Sequence, residues 1–291
     1  MSEESDWTIG RLLTWTSDYL TKQGSTSPRL DAEVLLADAC GCERIDLYTA
    51  FDRAATETVR VTFREMVRRR AEGTPVAYLV GKREFYSLSF RVTPDVLIPR
   101  PETEHLVIET LDLIKTLDGK PSKIVDVGTG SGNVSVAIAK HAPSSQITAV
   151  DISKTALEIA RKNVETHQVQ EQVSLVVGDL LEGFNDEPQF DFVVSNPPYV
   201  SEAELTQAAC EVKDYEPHIA LLGGPQGTEI IARLVQQSTG RLKSGGWLLL
   251  EFSPMIATLV ADLIDASSAF EDPVTTKDLA GLTRVIKARR R

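Results

Sequence analysis

Cysteine is scarce: three residues in 291, Cys40, Cys42 and Cys210, too few and too unevenly spaced for a disulfide framework. Cys40-Gly41-Cys42 has no second pair to complete a metal site, and His105, His141, His167 and His218 are scattered without ligand spacing. The expectation is reduced thiols in a cytoplasmic protein without a metal. No apolar run approaches the roughly 20 residues that span a bilayer. The start, MSEESDW, is acidic and polar, unlike a secretory signal. Positive charge is also short, with a net charge of -11. Proteins that ride on phosphate backbones usually carry a basic face. The two arginine runs, Arg68-Arg69-Arg70 and Arg289-Arg290-Arg291, read as a solvated helix end and a tail. This balance speaks against a direct nucleic-acid partner and leaves a protein or small-molecule partner.

What is present falls into three parts: a helical domain over 1–73, a β-hairpin linker over 74–98 and an α/β domain over 99–291. In the first, Ile9, Leu12, Leu13, Tyr19 and Leu20 recur at helical spacing. Ser27-Pro28 opens a second helix that stops near Gly41, and Thr56 caps a third that carries Val59, Phe63, Met66 and Val67 to a stop at Gly73. Trp7 and Trp15 read as core or packing residues of this domain. The linker is rich in aromatic and β-branched residues around Gly81 and Lys82.

From Lys123 onward strands and helices alternate. The segments KIVDV, QITAVD, VSLVVGD, FDFVVSN and GGWLLLEF read as strands, with helices over 133–141 and 153–167. That alternation implies a mostly parallel sheet covered on both faces. The end of the chain, near Asp272 to Ala288, has no helix between its apolar segments and is expected as an antiparallel edge.

Two motifs fall at the carboxyl ends of these strands, where open α/β sheets bind ligands. The first is Asp126-Val127-Gly128-Thr129-Gly130-Ser131-Gly132, a strand running into a glycine turn that opens a helix, with Asp151 ending the next strand. Glycines allow close backbone approach, and an acid there binds ribose hydroxyls. The spacing is G-x-G-x-G rather than the dinucleotide G-x-G-x-x-G, and no Lys-Ser/Thr follows as in a P-loop. This disfavours a nicotinamide dehydrogenase. The bland alternative is glycines that only permit tight helix–strand packing. The second motif is Asn196-Pro197-Pro198-Tyr199. Two prolines end the strand and stiffen the loop. A planar –NH2 is a poor nucleophile, and it needs two acceptors and a flat face: the Asn196 side-chain oxygen, the Pro197 carbonyl and the Tyr199 ring supply them. Catalysis then rests on alignment and charge placement rather than on a strong base.

The glycine loop with Asp151 resembles the cofactor loop of class I S-adenosylmethionine-dependent methyltransferases, and Asn-Pro-Pro-Tyr resembles the signature of amino-methylating enzymes. Four longer stretches narrow this: Leu30–Leu36, Pro75–Val107, Tyr215–Gly227 and Lys277–Arg289. Together they are similar to the release-factor glutamine methyltransferases over nearly the whole chain. The resemblance implies a Rossmann-like α/β fold and S-adenosyl-L-methionine as methyl donor. It implies methylation of the glutamine amide in the Gly-Gly-Gln motif of class I peptide-chain release factors, with the helical domain helping to hold that partner. Carried over by position, Gly128, Thr129, Gly130, Ser131, Gly132, Asp151 and Asn196 meet the cofactor. Asp179-Leu180 meets the adenine, and Asn196 to Tyr199 clamp the substrate. Arg100, Thr103 and Glu104 lie on the segment toward the methionine end. The chain departs from the family in Glu251-Phe252-Ser253-Pro254, where Glu-Ile-Gly and a Gln are common, and at Gln226, where an acid is common. Glu251 and His218 read as structural and surface residues. The alternatives are a DNA or RNA amino-methyltransferase, which would have to take a base out of its stack, and a scaffold that kept the fold without catalysis. A monomer is expected.

Overall fold

The computed structural model describes residues 7–291, and the acidic start Met1–Asp6 lies outside the described residues. The chain divides into two compact units, after Lys82.

The first unit is built from α1 (Ile9–Lys22), α2 (Pro28–Cys40), α3 (Arg44–Thr49), α4 (Glu57–Ala71) and α5 (Val76–Val80). Local chemistry sets its boundaries. Thr8 and Thr56 cap α1 and α4 by accepting from Arg11 N–H and Val59 N–H, and Gly41, at φ +64°, ends α2 in the left-handed region. Leu13, Leu20, Leu35, Leu36, Leu47 and Phe63 form its core. Short α3 and α5 are additions to the expected helices, and α5 occupies the start of the segment read as hairpin.

Two sequence expectations need correction here. Trp15 is not a core residue: it is 51% exposed, with its ring stacked on Tyr19 at 5.2 Å. Arg70 is not a solvated helix end either. It is buried, and its Nε donates to Asp31 Oδ2 at 2.8 Å, while Asp31 also accepts from Ser25 Oγ. Arg68, by contrast, pairs with Glu65 and Glu72 on the surface. Removing one partner of a buried ion pair strands the other charge. Arg70→Ala is therefore expected to destabilise the helical unit by about 3 kcal/mol or more, read as a lowered urea midpoint for its transition in the full chain.

The second unit opens with a hairpin, β1 (Lys82–Phe85) and β2 (Leu88–Arg91), turned through Tyr86 and Ser87, both at positive φ. Then come α6 (Glu104–Lys115), β3 (Lys123–Val127), α7 (Asn133–His141), β4 (Gln146–Asp151), α8 (Lys154–Thr166), β5 (Val173–Val177) and β6 (Phe190–Ser195). Small elements follow: β7 (Val200–Ser201), α9 (Glu202–Gln207), α10 (Cys210–Tyr215) and β8 (Leu222–Gly224). The unit closes with α11 (Glu229–Arg241), β9 (Leu242–Glu251), α12 (Ala257–Asp265), β10 (Val274–Lys277) and β11 (Thr283–Arg289).

Seven strands make one sheet in the order β10-β11-β9-β6-β3-β4-β5. Strands β9, β6, β3, β4 and β5 run parallel, and β11 and β10 add antiparallel at one edge. Period-two alternation sends Ile124, Phe192, Val194 and Leu249 to one core, and Val125, Val193, Leu248 and Leu250 to the other. Helices cover both faces, as the sequence implied: Leu106, Val107 and Ile138 belong to the first core, Ile231, Leu234 and Val260 to the second. The last arginines are not a free tail, since Arg290 donates to the carbonyls of Thr239 and Ala269, and Arg291 to that of Phe270. Among the described residues no helix is long and apolar enough to cross a membrane.

Candidate active site

Strand order decides which residues meet. The chain lays down β3, β4 and β5 toward one edge, then returns to place β6 on the other side of β3. A crevice opens at that reversal, beyond the carboxyl ends of the strands. Register then sets the neighbours. Val127 stands opposite Ser195 on one side and Val150 on the other, so Gly128, Asn196 and Asp151 emerge side by side. The Ser195 hydroxyl donates to the Val127 carbonyl at 2.6 Å and ties the two strand ends. Asp151 stands opposite Val177, which brings Gly178 and Asp179 to the same edge.

The glycine loop is held from both sides. Gly128 and Thr129 N–H donate to the Val150 carbonyl, and Gly130 N–H donates to Asp151 Oδ2 at 2.8 Å. Asp151 Oδ1 accepts from Ser153 N–H at 2.8 Å. Gly128, Gly130 and Gly132 all take φ between +56° and +79°, which other residues rarely adopt. A Cβ at Gly130 would meet no atom within 4 Å; one at Gly132 would meet Ala160 Cβ at 3.3 Å. So Gly128 and Gly130 serve the cleft, whereas Gly132 serves helix packing. Asp126 lies beneath the loop, fully buried, with Thr129 and Ser135 hydroxyls donating to its Oδ2. Burial pushes its carboxyl up, and the two hydroxyls oppose this. Burial likewise raises Asp151, against the N–H donors of Ser153 and Gly130.

Of the residues singled out from sequence, Gly128, Gly130, Asp151, Asp179, Leu180 and Asn196 line one cleft, together with Pro198. An adjoining smaller one is lined by Thr129, Ser131, Arg100 and Thr103, with Gly128, Gly130 and Asn196 shared. Leu180 sits at φ +53°, a strained position for a branched side chain at the mouth of the cleft. Pro197 is buried, and Tyr199 packs against the second core, with Val193, Leu248 and Leu250. Glu104 does not face the cleft: its carboxylate accepts from Tyr86 N–H at 2.8 Å and pins the hairpin turn. His218 is exposed and bonds the Lys213 carbonyl.

The sequence did not point to Arg233, which lines the cleft and pairs with Asp179 at 2.8 Å. It gave no sign that Arg100 reaches Glu216, 2.6 Å away and buried, to join the segment before α6 to the one after α10. It undervalued the Gly223-Gly224-x-x-Gly227 loop. Strand β8 pairs with β7, directly after Tyr199, and a Cβ on Gly223 would stand 2.6 Å from the Pro198 carbonyl oxygen. One on Gly227 would stand 2.4 Å from that of Tyr199. The backbone N–H of Gln226 is bound by Glu229, an acid supplied three residues on.

Among the described residues the Asn196 side chain makes one hydrogen bond, from its Nδ2 to Thr103 Oγ1 at 3.1 Å. Its Oδ1 is left as an acceptor at the cleft. Glu251, at the end of β9, is 1% exposed and lies against the Thr103 and Tyr199 hydroxyls. Its Oε2 has no hydrogen-bond partner. Burial pushes its carboxyl up to about 7, with Glu102 adding to the rise and Thr103, Arg284 and Tyr199 opposing it. Burial and then the charge of Glu251 raise the Tyr199 phenol well above its usual value.

Comparison with known proteins agrees with this geometry. The PrmC N-terminal domain matches residues 11–81, and the Methyltransferase small domain matches residues 105–212. The T. thermophilus 16S rRNA N2 G1207 methyltransferase, solved with AdoMet and guanosine, shares the fold at a TM-score of 0.54 and 17% identity, over 72% of this chain and 50% of that one. The release factor glutamine methyltransferase of Koribacter versatilis is 41% identical, over 94% of this chain and 95% of its own. That of Rhodopirellula baltica is 53% identical over 98% of this chain and 97% of its own. At this identity and coverage, the chain belongs to the release factor glutamine methyltransferase family.

Proposed function

We propose that the chain transfers a methyl group from S-adenosyl-L-methionine to the side-chain amide nitrogen of the glutamine in the Gly-Gly-Gln motif of class I release factors, leaving S-adenosyl-L-homocysteine. The observation that carries this reading is the juxtaposition of Asn196 with Gly128 and Asp151 at three adjacent strand ends.

The residues fit a nucleoside bearing an amino acid. Asp151 keeps acceptor capacity for ribose hydroxyls, since each oxygen takes one backbone N–H and has a further lone pair. Asp179 and Leu180 flank the place for the base, and the missing side chains of Gly128 and Gly130 leave room for the backbone to approach. When bound, this cofactor supplies a methyl on a sulfonium, whose departure leaves a neutral thioether.

The chain's own residues do the rest by placement. Asn196 Oδ1 and the Pro197 carbonyl accept the two amide hydrogens, which fixes the plane of the substrate amide. Tyr199 lies along that plane. Hydrogen bonding to two acceptors raises electron density on nitrogen as the methyl arrives and stabilises the positive charge that develops there. The extra proton is strongly acidic once the nitrogen is methylated, and it leaves without a dedicated strong base. The release factor as substrate places the reaction in the cytoplasm.

We assign the grip on the release factor to the helical unit. Its groove between α1 and α4 is lined by Trp7, Trp15, Tyr19 and Phe63, beside Arg60 and Arg64. Thr16 Oγ1 and Arg60 Nε are buried there without partners. An exposed Trp15 with half-buried Trp7 and Tyr19 beside arginine suits an apolar side chain with an acidic neighbour on a protein surface.

Mass spectrometry of a class I release factor, incubated with the protein and S-adenosylmethionine, tests both parts. One methyl is expected on the Gly-Gly-Gln glutamine, with Trp15→Ala raising KM for the release factor about tenfold at nearly unchanged kcat. Methyl on nucleic acid instead would replace this reading by the amino-methylation of bases.

A further inference from the structure

We infer that the turn between β10 and β11, Asp278–Leu282, is a docking knob for the release factor, with Leu279 at its tip seating in an apolar hollow beside the Gly-Gly-Gln loop. The inference rests on the reading of the release factor as substrate. It adds a contact at the rim of the reactive cleft to the grip assigned to the helical unit.

Strand order divides the active-site edge of the sheet into two halves. Gly128, Asp151 and Asp179 lie at the ends of β3, β4 and β5, and the cleft proposed for the cofactor is lined by them. Asn196, after β6, stands at the divide. Beyond it come β9, β11 and β10, whose edge is left for the protein that carries the glutamine. Register puts the turn on that edge. Ser195 stands opposite Leu250, Glu251 opposite Val285, and Lys277 opposite Thr283, so the residues between Lys277 and Thr283 project past the same edge as Asn196. Phe252 N–H donates to the Arg284 carbonyl at 3.1 Å and holds the base of the turn against the end of β9. Two strand spacings, roughly 10 Å, separate β6 from β11. A glutamine amide held at Asn196 therefore brings the protein surface around it over the turn.

An exposed leucine is ordinary on a protein surface and says little alone. The turn that carries this one is firmly built. Asp278 Oδ1 accepts from Ala280 N–H and Leu282 N–H, both at 2.9 Å, and its Oδ2 accepts from Arg284 Nε at 2.8 Å. Asp278 N–H donates to the Leu282 carbonyl, and Gly281 N–H to that of Asp278. Gly281 takes φ +79°, which closes the turn where a side chain would strain it. None of these bonds shelters Leu279, which is 101% exposed. Leu282, and Met255 after β9, add exposed apolar surface from the same edge. Ordering a loop on binding costs affinity, and a turn fixed beforehand avoids that cost. A rigid apolar tip beside the cleft thus suits insertion into a hollow of the substrate protein.

The test is steady-state methylation of a class I release factor by the full chain as wild type, Leu279→Ser, Leu279→Met and Val274→Ser, with cofactor affinity and sedimentation measured alongside. Leu279→Ser removes the tip and no packing within the fold. It is expected to raise KM for the release factor about tenfold at unchanged kcat and cofactor affinity. Leu279→Met keeps the apolar volume and is expected to keep the wild-type KM. Val274 is the control: it is exposed on the same hairpin but at the start of β10, opposite Lys287 and away from the cleft edge, so Val274→Ser leaves KM unchanged. The inference is overturned by a wild-type KM in Leu279→Ser, or by an equal rise in Val274→Ser, which would mark a general weakening of the hairpin. It is overturned too if Leu279→Ser abolishes a concentration-dependent dimer at unchanged KM, since the turn then serves a second copy of the chain. Failure of the release-factor reading itself looks different: the wild type then puts no methyl on the release factor.

Discussion

Replacing Asn196 by alanine lowers methyl transfer by about 10²- to 10³-fold, the scale seen when one preorganised polar group is removed from an active site. Folding is nearly untouched. Asn196 follows β6, only partly buried, and among the described residues its side chain makes a single hydrogen bond, to Thr103. Its loss removes no core volume. Single-turnover methylation with saturating cofactor, beside a thermal unfolding curve, separates the two effects. A variant that folds and transfers methyl at the wild-type rate would mean that the amide is held by other atoms and that the clamp is misassigned.

Gly223→Ala is expected to do nearly as much damage without replacing any residue that meets substrate. The added carbon would stand 2.6 Å from the Pro198 carbonyl oxygen, 2.7 Å from that of Gly227 and 2.8 Å from Tyr199 Cα. All three are backbone atoms, so a rotamer change cannot relieve the clash. The Pro198-Tyr199 segment must move by several tenths of an ångström, and misplacement on the order of 1 Å costs about 10²-fold in rate. We expect kcat to fall by about that factor, and cofactor affinity, which rests mainly on the loop after β3 and on the ends of β4 and β5, to change less. Gly240→Ala is the matched control: it lies in α11 with nothing within 4 Å of the added carbon, and it is expected to be neutral or slightly stabilising. Isothermal titration with the cofactor, set against the methylation rate of each variant, checks the pair.

Much of the catalytic unit was legible because its signals are local. A buried parallel strand is a run such as Lys123–Val127, and its end is marked by the glycine or acid that follows. Glycine positions with positive φ, Asp151 at the close of β4 and the prolines after β6 each announce themselves within a few residues. Once the strand order is that of a reversed parallel sheet, register brings these ends together without further information. The opaque parts are those made by partners far apart in the chain. Arg233 meets Asp179 across 54 residues, and Arg100 meets Glu216 across 116. Nothing near either arginine says so. Arg70 looked like a surface residue because it stands in a run of three arginines, and only the approach of α2 buries it. Trp15 looked like core because tryptophan usually is, yet helical periodicity alone cannot say whether a neighbour covers a given face. Glu251 seemed inert because a strand-terminal acid is ordinary until Thr103 and Tyr199 are seen around it.

Glu251 also has a consequence for how this protein would respond to selection for heat tolerance. Its carboxyl is pushed up to about 7 in the folded chain, whereas an unfolded glutamate titrates near 4.3. Between those values the folded state holds the proton more tightly, so rising pH through that window erodes stability, and above it the full penalty persists. A neutral residue at position 251 escapes the penalty. Screens for thermostable variants at alkaline pH should therefore return neutral substitutions at this position repeatedly.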